Sequence, residues 1–155
     1  MSHFKGVVPG VVKSLKDQDG LGRIQVHLPR LPGENRTFWA SVAAPMAGKG
    51  RGFFFQPEVD DEVLLAFEEG DPQHPYIIGF MWNGVDKPPE TELQNRVIVT
   101  PGGHTVRFED KQGSRRIIIR SSGGLHLTLD DTDKSISLEG GGRKLKMHDD
   151  KFEIT

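Results

Sequence analysis

Cysteine is absent from this 155-residue chain, so disulfides, thiolate metal sites and thiol nucleophiles are all excluded. Long apolar runs are absent as well. No uninterrupted apolar stretch approaches ~20 residues, and the opening MSHFKGVVPGVVKS carries no positive region ahead of a sufficient apolar run. Neither a membrane span nor a secretion signal is expected, and the reading is of a protein made soluble in the cytoplasm. Nor does any stretch show the apolar period of a long amphipathic helix. An excess of one charge sign is also missing. The formal net charge is -2, so the molecule as a whole has no electrostatic pull toward nucleic acid or an anionic membrane. Residues 1–94 carry 9 basic and 13 acidic side chains and residues 95–155 carry 11 and 9, a division too mild to specify a partner. Catalytic signatures are equally scarce: no serine sits in G-x-S-x-G and no H-E-x-x-H occurs.

What the chain does contain is punctuation. Nineteen glycines and ten prolines recur between short β-rich runs, the grammar of an all-β protein with tight turns. The first half offers five strands, GVVPGVVKSL (6–15), GRIQVHL (22–28), TFWASVA (37–43), DEVLLAFE (61–68) and PYIIGFMW (75–82). Five such strands without an intervening helix suggest a small closed sheet, most simply a five-stranded OB-fold barrel spanning residues 1–84. Pro9 cannot donate to a ladder, so a bulge or a sheet edge is expected there. PMAGKGRGFFFQP, between the third and fourth strands, reads as the longest irregular connection of the barrel.

A polar, proline-containing linker, residues 85–95, leads into a second grammar. Shorter strands follow at roughly ten-residue intervals: HTVRFED (104–110), RRIIIRS (115–121), LHLTLD (125–130), KSISLE (134–139), RKLKMH (143–148) and KFEIT (151–155). Turn residues, KQGS, SGG, DTD, GGG and DD, separate them. Residues 96–155 therefore read as a β-repeat array. By period-2 alternation one face carries Val106, Phe108, Ile117, Ile119, Leu125, Leu127, Leu129, Ile136, Leu138, Leu145, Met147, Phe152 and Ile154. A single meander has no second layer to cover such a face. Either the sheet lies over the barrel, or several copies face one another around an axis. The preferred expectation is the axis: a homotrimer in which the array forms a short β-helix or β-prism shaft. Six strands at about 4.8 Å would make that shaft roughly 30 Å long, and the apolar edge strand Phe152, Glu153, Ile154 and Thr155 calls for a cap.

Residues with chemical potential have plainer readings. The paired carboxylates at Asp60–Glu62, Glu68–Glu69, Asp130–Asp131 and Asp149–Asp150 all flank strand ends, where turn-forming aspartate is expected. GKGRG lacks the spacing and the following helix of a phosphate-binding loop. His104, His126 and His148 recur every 22 residues, but His126 and His148 fall on the outward parity beside Thr128 and Lys146, so solvent-facing histidines are expected.

The run LGRIQVHLPRLPGENRTFWASVAAPMAGKGRGFFFQPEVDDEVLLAFEEGDPQHPYIIGFMWNG (21–84) resembles the OB-fold domain of the contractile-injection spike family, which includes phage baseplate spikes, Vgr-type proteins of type VI secretion and the spikes of extracellular injection systems. The resemblance rests on GRIQV, Trp39–Ala40, the Gly52–Val63 stretch G-FF-PEV-DEV, FEEGDP-HP from Phe67 to Pro75, and IIG-MWNG from Ile77 to Gly84. GHTVRFEDKQGSRRIIIRSSGG is similar to the first turns of the family's trimeric shaft. Many relatives place glycine where this chain has Asp60, a residue that tolerates the left-handed conformation. The resemblance implies a non-enzymatic structural spike with no cofactor, assembled in the cytoplasm and delivered outward on firing, with only transient contact with the target membrane. It also implies a separate hub or baseplate protein and a PAAR-type tip protein seated on residues 151–155. Some relatives hold iron on the three-fold axis through paired histidines; the required H-x-H is absent here, and no metal is expected. The competing expectation is a single-stranded nucleic-acid-binding OB protein that uses Arg23, His27, Arg30, Phe38 and Trp39.

Overall fold

The structure, a computed structural model, describes residues 5–31 and 36–155. Met1–Phe4, part of the stretch read for a leader, and Pro32–Asn35, inside the resembling run, lie outside the described residues. The chain divides into two compact units, Met1–Lys87 and Pro88–Thr155.

In the first unit, strands β1 (Val8–Ser14), β2 (Ile24–His27), β3 (Thr37–Val42), β6 (Glu62–Phe67) and β7 (Pro75–Met81) close a barrel in the order β1-β2-β3-β7-β6. All pairs are antiparallel except β3 with β7, which meet in parallel at Ser41↔Tyr76 and Val42↔Ile77. The core follows from alternation: Ile24 and Val26 on β2, with Leu28 just beyond its end, and Val63 and Leu65 on β6 point inward with Val8, Val12, Ala40 and Ile77. Burial of each large aliphatic side chain contributes about 1.5–3 kcal/mol.

β1 closes the barrel by pairing with β6 through Val8–Val11 and with β2 through Val11–Ser14. Pro9 sits where only β6 is its partner, so its missing donor costs no ladder bond, and the bulge falls later, between Val12 and Ser14. Gly10 lies against the core, where an added Cβ would meet Leu65 Cδ1 at 2.6 Å and His27 O at 3.3 Å. Asp60 takes φ 75°, the left-handed conformation expected at that turn, and its carboxylate pairs with Lys13 at 2.6 Å. The connection expected to be irregular is partly ordered: β4 (Ala47–Gly48) and β5 (Arg51–Gly52) form a two-rung hairpin.

The second unit is one antiparallel meander of seven strands rather than six: β8 (Asn95–Val99), β9 (Thr105–Lys111), β10 (Ser114–Arg120), β11 (His126–Asp130), β12 (Ser135–Gly140), β13 (Arg143–His148) and β14 (Lys151–Ile154), each paired with its chain neighbours. The extra strand, β8, opens residues 96–155, ahead of the first strand expected at 104. NRVIV pairs with β9 from Asn95↔Glu109 to Val99↔Thr105, because a short β-branched run beside a turn is captured once a partner edge is available. The segment before it is anchored too, with Glu90 accepting from the backbone of Thr91 and Glu92 and from Asn95 Nδ2.

Candidate functional site: an uncovered apolar sheet face

Cross-strand register places the alternating apolar set on a single face. Ile119 lies between Val106 and Leu127, and Ile117 between Phe108 and Leu129. Leu138 stands between Leu127 and Leu145, and Ile136 between Leu129 and Met147. Leu145 and Met147 then meet Ile154 and Phe152. The face also runs on where sequence reading had stopped, through Ile98 opposite Val106. The signal for it was the short β-branched run RVIVT (96–100) at the start of the array.

Burial on this sheet is inverted. The apolar face is open: Ile119 is 46 % exposed, Ile136 41 %, Leu138 49 % and Leu125 58 %. On the opposite face Ser135 and Ser137, the sequence neighbours of Ile136 and Leu138, are only 7 % exposed. They are small residues opposite larger ones, Ser137 with Thr128 and Lys146, Ser135 with Asp130 and His148. The long polar side chains of this face are tied together by ion pairs. Arg116 Nε donates to Asp130 Oδ2 at 2.7 Å, Lys144 Nζ to Glu139 Oε1 at 2.6 Å, and Arg107 contacts Glu90 at 2.8 Å and Glu109 at 3.0 Å. The contacts leave their mark on the carboxyls. Glu139 is held below its ordinary range chiefly by Lys144, and Asp130 chiefly by the backbone N–H of Asp133. The polar face is thus complete within one chain and the apolar face is not.

His126 and His148 lie on the polar face, as alternation required: His126 Nε2 is 3.2 Å from Glu139 and His148 Nε2 3.1 Å from Glu153. His104 Nδ1 accepts from the backbone N–H of Ser122 at 3.2 Å. The three are therefore engaged with different partners. The paired carboxylates sit at turns, Asp149 at φ 49° and Glu69 at φ 49° among them, and Asp61 accepts from the backbone N–H of Glu58 at 2.7 Å.

At the far edge of the sheet β14 pairs with β13, and its backbone ladder continues to Thr155, which exchanges hydrogen bonds of 2.8 and 2.9 Å with Lys144. Phe152 and Ile154 are 72 % and 78 % exposed. The edge is ordered, apolar on one side and unpaired along its outer backbone among the described residues.

On the barrel, Arg23, His27, Phe38 and Trp39 of the residues cast as nucleic-acid readers are engaged with other groups, while Arg30 is exposed beyond β2. Arg23 lies over the Trp39 ring, 5.7 Å from its centroid, and its guanidinium is held by Asp17 at 2.8 Å and by Asp19. Phe38 packs against the barrel core with Arg36 over its ring, and His27 Nδ1 is 3.1 Å from the Arg36 carbonyl. Asp17 escaped the sequence reading. Its carboxylate gathers the backbone N–H groups of Asp19, Leu21 and Arg23 as well as the Arg23 side chain, and these bonds, Arg23 first, keep it far below the ordinary carboxylate range. The spacing D-x-D-G-x-G-R before a strand was the available signal.

Comparison with known proteins agrees with the barrel. Residues 8–82 match the family of type VI secretion system/phage-baseplate injector OB domains. The type VI secretion system spike protein VgrG5 of Pseudomonas aeruginosa is 33 % identical over 116 residues, 68 % of this chain and 15 % of the relative. VgrG3 of Vibrio cholerae, also a type VI secretion system spike protein, is 30 % identical over 115 residues, covering 66 % and 11 %. VgrG1a of P. aeruginosa aligns over 135 residues at 29 % identity, 77 % of this chain and 21 % of its own length. The chain spans only about one-tenth to one-fifth of the length of these curated relatives. With an injector OB domain closed by β1, β2, β3, β7 and β6, and a strand meander within the reach of the longer alignment, the chain belongs to the Vgr-type spike and baseplate family of injection machines.

Proposed function

We propose that this chain is a non-enzymatic structural spike that works as a homotrimer. Three copies turn the apolar faces of their meanders toward a common axis, with Val106, Phe108, Ile117, Ile119, Leu125, Leu127, Leu129, Ile136, Leu138, Leu145 and Met147 as the shared core. The observation that carries this is the inverted burial: serines covered on one face, isoleucines and leucines open on the other. A monomer would keep that apolar surface in water, and an exposed apolar face of this extent marks an interaction surface. Three-fold closure supplies the missing layer with an identical strip. Seven strands at about 4.8 Å make a prism roughly 34 Å long.

In this reading residues 1–84 form the OB barrel that seats on a separate hub or baseplate protein, residues 85–95 lead out of it, and residues 96–155 form the shaft that helps to breach the target envelope. The particle is assembled in the cytoplasm and meets the target membrane only on firing. Phe152, Glu153, Ile154 and Thr155 of the three copies present an apolar, hydrogen-bonded platform for a PAAR-type tip protein, the partner that the family resemblance implies. Light scattering of the full chain is expected to report three times 17.2 kDa, stable to dilution; a monodisperse monomer would refute the trimer. Ile154→Lys is expected to leave that mass unchanged while co-purification of the tip protein is lost. Tip binding that persists would move the seat elsewhere.

A further inference from the structure

The β4–β5 hairpin carries the most exposed aromatic cluster of the barrel unit's described residues. Phe53, Phe54 and Phe55 follow it directly and are 53 %, 80 % and 55 % exposed, and the rings of Phe53 and Phe55 stack at a centroid distance of 6.3 Å. The cluster is held, not loose. The Phe53 N–H donates to the Met46 carbonyl at 2.9 Å, and Gly52 permits the approach, since a Cβ there would stand 2.8 Å from Met46 O. At the hairpin tip Lys49 and Arg51 are exposed and have no acidic partner among the described residues, and from Ala43 to Pro57 the chain has no acid. The result is a finger, apolar at its base and cationic at its end.

The same barrel carries the complement of this finger. Tyr76 and Ile78 on β7 are 39 % and 46 % exposed, and the Tyr76 hydroxyl donates to Glu68 Oε2 at 3.3 Å. Glu68 thus borders Tyr76 with acid on the side of the turn that leads to β7, while Arg23, Arg36 and His74 line the cavity on its other side. Both surfaces are open in one chain, so they do not cover each other.

We infer that the Met46–Phe55 finger of one copy seats on the Tyr76, Ile78 and Glu68 patch of a second copy of this chain. The phenylalanines cover the apolar pair, and Lys49 and Arg51 face the acidic border. Two unlike patches meeting in this way make a heterologous contact, which closes into a ring under rotational symmetry. The three-fold axis of the proposed function provides that symmetry, and the inference rests on that reading. The finger would then form a collar between barrels, a second interface separate from the shaft core. Oppositely charged borders set register and suppress misaligned neighbours more than they add affinity.

The test uses the purified full chain with p-benzoylphenylalanine in place of Phe54, irradiated after its mass has been measured by light scattering. Adducts between copies, with the cross-linked peptide mapping to Glu68–Ile78, are expected. Lys49→Glu with Arg51→Glu should lower their yield several-fold, and adding Glu68→Lys should restore it. A trimeric mass without copy-to-copy adducts, or with adducts that map elsewhere, overturns the collar and leaves the trimer standing. A monomeric mass without adducts overturns both. Adducts whose yield ignores the charge reversals and their rescue overturn the docking geometry stated here.

Discussion

Placing a charge at Ile119 tests the shaft at its centre. The residue stands between Val106 and Leu127 and is 46 % exposed in the single chain. If full burial of an isoleucine is worth about 1.5–3 kcal/mol, covering what remains exposed contributes about 1 kcal/mol per copy and about 3 kcal/mol per trimer. Ile119→Asp forfeits that contribution, which alone is about a hundred-fold in assembly. It also brings three carboxylates toward one axis in an apolar setting, where desolvation and like charge both oppose the ionised form. Assembly at neutral pH should fail. As these effects raise the carboxyl pKa, acidification should recover part of it. Sedimentation or light scattering across a dilution series and from pH 4 to pH 8 reads both effects. Thr128→Asp is the control, since Thr128 lies on the polar face opposite Ser137 and should leave the mass unchanged. An Ile119→Asp protein that assembles like the parent at neutral pH would show that the apolar face is not the interface.

Three further outcomes follow from the barrel. Gly10→Ala would press a methyl group onto Leu65, which is fully buried and has nowhere to move, so denaturant unfolding should show a loss of about 1–3 kcal/mol, and an unchanged midpoint would contradict the packing at that position. Asp17→Asn should lower stability at neutral pH. Because the Asp17 carboxyl is depressed in the folded state, its contribution is present above its ordinary 3.8 and disappears as pH falls through the folded value, so parent and variant should converge in acid; a gap that does not vary with pH would remove Arg23 as its cause. Finally, a labelled oligonucleotide at low micromolar protein should show no salt-dependent shift, since the Arg23 guanidinium is already held by Asp17 and Asp19; a shift that weakens with salt would favour the nucleic-acid reading.

Alternation along the chain determined most of what local physics can determine. Ile24, Val26 and Leu28, or Ile117 and Ile119, must share a face of any strand they form, because side chains alternate with period 2 whatever the partner. The sequence alone therefore specified the five barrel strands, the single apolar face of the meander and the outward placement of His126 and His148. Asp60 could also be read as a left-handed turn residue, since that tolerance is local to the residue.

Pairing is a property of segments far apart or separately folded, and there the tertiary structure decided. Asn95–Val99 became a strand because β9 offered it an edge, and Glu90, within the connection of residues 85–95, meets Arg107 in an ion pair. Asp17 gained its role only when the β1–β2 turn brought its carboxylate within reach of three backbone donors and Arg23. The short hairpin that makes a finger of GKGRG likewise depends on a close approach of Gly52 to Met46, which composition does not disclose. Most of all, the sequence said that one face was apolar, and only the fold showed that its own chain covers the serines of the other face and leaves that apolar face open. Burial depends on what lies opposite, and no single strand contains that information.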